Sequence, residues 1–245
     1  MKYFVVIPAA GSGRRFAAAV PKQYAQLAGL TVLEHALAPF EADPDCARIV
    51  VVIAADDPHW PRVSVRRLWN VDTVHGGAER AQSVRAGLRA VSAHAGDDDW
   101  VMVHDAARPC FTAADLAALK HELAAHEAGG LLAVPLADTL KRAQAVEKAG
   151  AVSAVEATVD RAGLWRAATP QVFRLGLLAR ALDAALAAGR VPTDEAQAIE
   201  WLGFKPRLVA GRPDNIKVTT ADDLALAAAI LAQHAMAQKT MLEKS

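Results

Sequence analysis

Short, almost unbroken apolar runs alternate along the chain with longer alanine-rich stretches in which apolar residues recur at helical spacing. Phe4–Ile7, Ile49–Ile53, Val71–Val74, Trp100–Val103 and Leu131–Val134 read as strands. They are rich in β-branched residues and lack polar alternation, the pattern of strands covered on both faces. Val32–Phe40, Asp57–Trp69, Glu79–Ala93 and Ala113–Glu127 read as helices. This alternation predicts an α/β fold with a mostly parallel sheet. The pattern changes at Asp138. Asp138–Arg142 and Ala151–Thr158 read as two strands around a polar turn containing Gly150, a hairpin arm at about 138–160. Helices follow near Leu175–Ala188 and Asp194–Leu202, then a strand near Arg207–Val209 and a last helix, with fraying expected from about Gln238. No repeat or flexible linker divides the sequence, so one domain over residues 1–245 with the arm inserted in it is expected.

Composition narrows the function. The chain has 245 residues, 53% hydrophobic and 22% charged, which suits a globular domain and excludes whole-chain disorder. Lys and Arg (27) balance Asp and Glu (27), so the surplus of a general polyanion binder is missing and no nucleic-acid partner is expected. Aromatic residues, at 5%, are too few for base-stacking platforms. Cys46 and Cys110 cannot build a disulfide framework or a four-thiolate zinc site, and a reduced, cytoplasmic protein is expected. The apolar run at Tyr3–Ile7 is too short for a signal peptide and is broken by Pro8. Leu224–Ala235 is too short to span a bilayer, so no membrane partner is expected either.

In a parallel sheet, ligands bind beyond the carboxyl ends of the strands, so the loops after Ile7, Val74, Val103 and Val134 carry the interest. The first is Pro8-Ala9-Ala10-Gly11-Ser12-Gly13-Arg14-Arg15, followed by Pro21-Lys22-Gln23. Its glycines allow backbone N–H groups to converge on phosphate oxygens. It lacks the Gly-Lys-[Ser/Thr] ending of a P-loop, and Phe16 replaces the third glycine of the dinucleotide fingerprint. The second, His75-Gly76-Gly77-Ala78-Glu79-Arg80, opens a helix that puts Arg80 and Ser83 on one face of its first turn. In the third, Asp105 stands at a strand's carboxyl end, placed to hold Mg²⁺ against phosphates or to cap the next turn. His104 and Cys110 read as packed residues, and Thr193-Asp194-Glu195 as a helix cap with a purely structural role. Singly, each segment also reads as an ordinary turn. Together they bring Arg14, Arg15, Lys22, Arg80, Arg108, Arg161 and Lys217 toward one end of a sheet with one carboxylate, a site for polyphosphate.

The segments PAAGSGRR, PKQY, GGAERAQSV, VHDAARP, DTLKR, TVDRAGLW, ATPQVF, TDEA and DNIKVT, in this order from Pro8 to Thr219, resemble the 2-C-methyl-D-erythritol 4-phosphate cytidylyltransferase family. The first motif is shared by many nucleotidyltransferases, whereas HDAARP, TVDR and NIKVT together are far more specific. The resemblance implies a Rossmann-like nucleotidyltransferase fold, a three-layer sandwich whose projecting β-arm helps form a homodimer. It also implies transfer of CMP from CTP to the methylerythritol phosphate, releasing pyrophosphate, with Mg²⁺ as the metal. Arg15 and Lys22 would stabilise charge on the triphosphate in the transition state. Ala9, Ala10, Gly11, Gly13, Gly77, Ala78, Arg80, Ser83 and Ala106 would bind the nucleotide. Asp105 would touch Mg²⁺ or the substrates, and Lys217 would hold phosphate near the α-phosphorus. Thr139 and Arg161 would reach the partner subunit's acceptor, with Arg108 and Thr169 completing that pocket. Two departures stand out: Ala78, where relatives often carry an acidic residue, and the alanine-rich Phe16–Val20 segment. The chain ends soon after its last helix, so a monofunctional enzyme is expected.

Three rivals remain. They are a cytidylyltransferase for another polyol phosphate such as ribitol 5-phosphate, a dehydrogenase, and a non-catalytic nucleotide sensor. The missing third glycine disfavours the dehydrogenase. Joint retention of Arg15, Lys22, Asp105 and Lys217 disfavours the sensor, which needs no transition-state cations.

Overall fold

A computed structural model describes residues 1–11, 20–65, 70–145 and 153–242. Its centre is a seven-stranded sheet of β1 (Tyr3–Pro8), β4 (Cys46–Ile53), β5 (Val71–His75), β6 (Trp100–Val103), β7 (Gly129–Pro135), β10 (Trp165–Arg174) and β11 (Arg207–Ala210). The spatial order is β11-β7-β10-β6-β1-β4-β5. β1 pairs in parallel with β4 and β6, β4 with β5, and β11 with β7. β10 pairs antiparallel with both its neighbours, so it alone runs against the rest.

Strands β1, β4, β6 and β7 are unalternating because both faces are covered, whereas β5, expected to be covered likewise, stands at the sheet edge and is only partly buried. Tyr3, Val5 and Ile7 of β1 pack into one buried cluster, together with Leu33, Leu37 and Phe40 of α1 (Val32–Ala42) and Leu116, Leu119 and Leu123 of α3 (Ala113–Leu123). Phe4 and Val6 point the other way. They meet Val84, Leu88 and Val91 of α2 (Arg80–Val91) and Leu178, Ala181 and Leu182 of α4 (Leu175–Ala187). Gly87 allows α2 to lie this close: a Cβ there would stand 2.4 Å from Val6 Cγ1. Each fully buried Leu, Val or Phe contributes about 1.5–3 kcal/mol relative to exposure, which makes these two clusters the main cohesive force. The result is the mostly parallel α/β arrangement that the sequence pattern predicts, in the three layers that the family resemblance implies.

Outside the main sheet, β8 (Leu140–Ala143) and β9 (Val155–Val159) form an antiparallel pair of their own, the expected arm. The two-residue strands β2 (Gln26–Leu27) and β3 (Leu30–Thr31) make a small hairpin. Helix α5 (Glu195–Trp201) follows α4, and α6 (Ala221–Leu242) continues past Gln238, where fraying is expected. Among the described residues, no helix is long and apolar enough to cross a membrane.

Two expectations need correction. The helix expected at 57–69 is not formed in its described part; residues 60–62 make a single 3₁₀ turn, and 66–69 lie outside the described residues. Asp57 accepts from the N–H groups of His59 and Trp60, and prolines at 58 and 61 remove two backbone donors. Conversely, β10 is a ten-residue strand where the sequence shows only a motif. Arg166, Thr169, Pro170 and Gln171 interrupt its apolar residues, and its pairing with β7 shifts register between Ala167 and Gln171, around Pro170.

Candidate active site

Three parallel strands deliver their loops to the same end of the sheet. Each loop first extends the ladder: Ala9 N–H donates to Val52 (2.7 Å), Gly76 N–H to Ile53 (2.9 Å) and His104 N–H to Val6 (3.0 Å). β10 runs the other way, so its first half overshoots β6 at this end. That places Thr169 beside Asp105, whose backbone N–H donates to Thr169 Oγ1 at 3.0 Å. At Gly76 the first two loops touch: a Cβ would lie 2.6 Å from Ala10 Cβ and 2.7 Å from Ser83 Oγ.

Two cavities open here. The larger, about 720 Å³, is lined by Ala9, Ala10, Gly11, Lys22, Gly77, Ala78, Arg80, Ser83, Asp105, Ala106 and Lys217 among others. The smaller, about 250 Å³, is lined by Arg80, Asp105, Arg108, Thr169, Gln171, Thr193, Asp194 and Lys217, with Ala167 and Ala168. Arg80, Asp105 and Lys217 belong to both and mark the seam between them.

Asp105 is buried at that seam, ringed by cations. Its Oδ1 accepts from Arg80 at 3.2 Å, and its Oδ2 lies 2.8 Å from Lys217 Nζ and 3.5 Å from Arg108 Nε. Burial alone would raise its pKa, but Arg80, Lys217 and Arg108 together hold the carboxyl well below the usual carboxylate range. Burial pulls Arg108 below its ordinary value, while Asp105 opposes that shift. His104 is fully buried, edge-on to Phe40 and tilted against Phe111, and burial lowers its pKa to about 4. Its Nδ1 lies 3.0 Å from Thr169 Oγ1, so it packs and orients as expected. Cys110 is buried and outside any disulfide, its thiol pushed up to about 12 by burial.

The loop carrying Lys217 is fixed by backbone contacts. Val218 N–H donates to Ala107 (2.8 Å), Arg108 to the Asn215 carbonyl (2.8 Å), and the Asn215 amide to the Thr169 carbonyl (2.9 Å). Lys22 donates to the Val218 carbonyl at 2.9 Å, so the two lysines approach along one backbone segment. Val218 is in turn buried against Ala227 and Ile230 of α6.

The structure therefore brings together Ala9, Ala10, Gly11, Lys22, Gly77, Ala78, Arg80, Ser83, Asp105, Ala106, Arg108, Thr169 and Lys217. It leaves Thr139 and Arg161 apart. Both are exposed at the arm, line neither cavity, and the Arg161 guanidinium donates to the Ala137 carbonyl. Gly13, Arg14 and Arg15 lie outside the described residues.

Two residues escape the sequence reading. Gln23 is buried and donates to the carbonyls of Ala9 (2.7 Å) and Gly11 (3.1 Å), bracing the first glycine loop. Its signal was its place between Lys22 and Tyr24 in a quoted motif. Glu195 is the second, and here the cap reading is incomplete. Asp194 does cap α5, accepting from Gln197 N–H, but Glu195 turns inward and binds Arg80 through both oxygens. Nothing local announces a partner 115 positions away.

Compared with known proteins, residues 3–233 match the family described as 2-C-methyl-D-erythritol 4-phosphate cytidylyltransferase. A relative of that name from Dechloromonas aromatica (strain RCB) is 54% identical over 232 residues, 94% of this chain and 97% of the relative. One from Ectopseudomonas mendocina (strain ymp) is 52% identical over 225 residues, 91% of this chain and 93% of the relative. Among solved structures, a 4-diphosphocytidyl-2C-methyl-D-erythritol synthase superposes with a TM-score of 0.79 at 39% identity, covering 94% of this chain and 98% of the other. The Francisella tularensis 2-C-methyl-D-erythritol 4-phosphate cytidylyltransferase gives 0.77 at 35% identity, covering 94% and 100%.

Proposed function

The chain belongs to the 2-C-methyl-D-erythritol 4-phosphate cytidylyltransferase family, and from that premise we propose how its residues divide the reaction. It transfers CMP from CTP to 2-C-methyl-D-erythritol 4-phosphate, giving the diphosphocytidyl product and pyrophosphate in isoprenoid precursor synthesis. The observation that carries the division of roles is the pair of cavities meeting at Arg80, Asp105 and Lys217. The larger takes CTP, with its base and ribose against the glycine loops and Ser83. The smaller takes the acceptor phosphate, between Arg108, Thr169 and Lys217. The reacting phosphorus then lies at the seam.

A general base is not required. The nucleophile is a phosphate oxygen, already ionised at neutral pH, and the obstacle is repulsion between two anions. Lys22, Lys217 and Arg15 supply the opposing charge, and the two cavities align donor and acceptor. Asp105 keeps Lys217 at the seam until phosphate competes for it. Among the described residues no cluster of three or more His, Cys, Asp or Glu could hold a metal by itself. Asp105 stays ionised, and its Oδ2 would be open to Mg²⁺ once substrate phosphate draws Lys217 away; the ion takes one or two protein carboxylates and completes its shell with phosphates and water. Asp105 would hold it, and the ion would neutralise triphosphate charge. The protein acts in the cytoplasm as a one-domain homodimer joined through the arm. Cys46 and Cys110, both buried and outside any disulfide, suit a reducing compartment.

The test is pyrophosphate release from CTP with Mg²⁺, in parallel with 2-C-methyl-D-erythritol 4-phosphate and ribitol 5-phosphate. Release with the first acceptor alone is expected. Release with ribitol 5-phosphate alone would reassign the acceptor pocket and leave the nucleotide site standing.

Lys22 gives a second expected result. Lys22→Ala should lower kcat by about tenfold or more while CTP affinity changes by less than about threefold. Stopped single-turnover kinetics alongside calorimetry with CTP separate the two. Equal losses would make Lys22 a ground-state binding residue only.

A further inference from the structure

Glu195 has no part in the roles above, and its setting is unusual for a carboxylate. It opens α5, is 1% exposed and lines neither cavity. Its Oε1 accepts from Arg80 Nη1 at 2.5 Å and its Oε2 from Arg80 Nη2 at 3.2 Å. The same Nη2 donates to Asp105 Oδ1 at 3.2 Å, and Asp105 Oδ2 holds Lys217 at 2.8 Å. Charges of alternating sign thus run from a buried helix start to the seam of the two cavities. The far end is rigid. Gln171 of β10 accepts from Ala196 N–H at 2.8 Å and donates to Asp194 at 2.9 Å, clamping the first turn of α5 to the sheet.

Asp194 already caps α5, so the cap does not explain Glu195. A buried carboxylate costs desolvation that an apolar residue of similar size would avoid, which argues for a use beyond stability. A two-pronged carboxylate fixes the plane of a guanidinium, and here that plane aims Nη2 at Asp105.

We propose that Glu195 is a positioning residue for the transfer reaction: acting through Arg80, it sets the orientation of Asp105 and, through Asp105, the place of Lys217. The inference rests on the reading of the site given above. Without the Glu195 charge, Arg80 turns toward the triphosphate, Asp105 loses its Oδ1 partner, and Lys217 loses a fixed anchor. Catalysis suffers more than nucleotide binding, because the nucleotide pocket keeps its backbone walls.

A double-mutant cycle on the full chain tests this, reading kcat and KM from pyrophosphate release and CTP affinity by calorimetry without acceptor. Wild-type release with CTP and 2-C-methyl-D-erythritol 4-phosphate comes first; its absence would overturn the underlying reading and this inference with it. Glu195→Gln is expected to lower kcat about tenfold with CTP affinity within about threefold. In an Arg80→Gln background the same substitution should cost less than about threefold in kcat, because the route through Arg80 is already cut. An equal loss in both backgrounds overturns the proposal, as does an unchanged kcat in the wild-type background. If Glu195→Gln does not fold, Glu195→Asp enters the same cycle. Its shorter side chain loses the fork, and its kcat loss must again disappear in the Arg80→Gln background.

Discussion

Asp105→Asn is expected to lower kcat by on the order of 10²–10³-fold, with a loss of stability alongside. Asparagine keeps the shape and volume but removes the negative charge that Arg80, Arg108 and Lys217 share. The catalytic loss follows from misplacing Lys217 at the seam and from removing the one carboxylate proposed for Mg²⁺. The stability loss follows from leaving two partly buried guanidiniums with half their partners. Breaking a fully buried pair costs about 3–5 kcal/mol. Lys217 is 43% exposed and solvent screens its share, so about 2 kcal/mol is the expected figure. Urea melts of both proteins read it directly. The sign of the pH dependence is fixed by the lowered Asp105 pKa. The native contribution is fully present above the unfolded carboxylate pKa of about 4, and it fades as pH falls further toward the folded value. The gap between wild type and Asp105→Asn should therefore be constant through neutrality and close only in acid. A variant with wild-type kcat and a gap that persists in strong acid would remove Asp105 from both roles.

The main sheet was legible because its signal is local. Four of the five expected strands, β1, β4, β6 and β7, are buried on both faces as their apolar runs report, and the alternation of Tyr3, Val5 and Ile7 with Phe4 and Val6 between two helical layers is the direct consequence; β5, with Asp72 and Thr73, lies at the edge and is only partly buried. The glycine loops were legible for the same reason: strand end and turn chemistry adjoin in sequence. β10 was hidden because Thr169, Pro170 and Gln171 interrupt its apolar pattern, and its antiparallel run past the end of β6 is what brings Thr169 against Asp105. The 57–69 segment failed in the opposite direction. Its apolar spacing suggests a helix, but Asp57 and two prolines decide for turns. Glu195 could not be read at all as a site residue. Its local context is that of a helix start, and only tertiary packing joins α5 to α2 through Arg80. Whole-chain charge balance carries no trace of the site; the local motifs did, and Lys22, Arg80, Arg108 and Lys217 do gather at one end of the sheet.

The arm supplies the other large expected effect. Lys217→Ala and Arg161→Ala are each expected to lower activity by about 10²-fold or more. Mixed dimers of the two are expected to recover about a quarter of the wild-type rate from an equal mixture. Within one chain, Arg161 and Thr139 are exposed, stand at the arm and line neither cavity, whereas Lys217 stands at the seam of both. The arm forms its own two-stranded sheet and presents Val155 at 59% exposure, a surface suited to being covered by a second copy. If each acceptor pocket takes Lys217 from one chain and Arg161 from its partner, a mixed dimer holds one pocket with both defects and one with neither. Half of randomly paired dimers are mixed, and each works at half capacity. A site confined to one chain allows no such rescue, because every pocket then carries one of the two lesions. Differently tagged chains, purified through both tags, give a preparation of mixed dimers only, in which the expected rate rises to about half of wild type. Activity there no higher than in the parent variants would return Arg161 to its own chain and leave the arm a structural element.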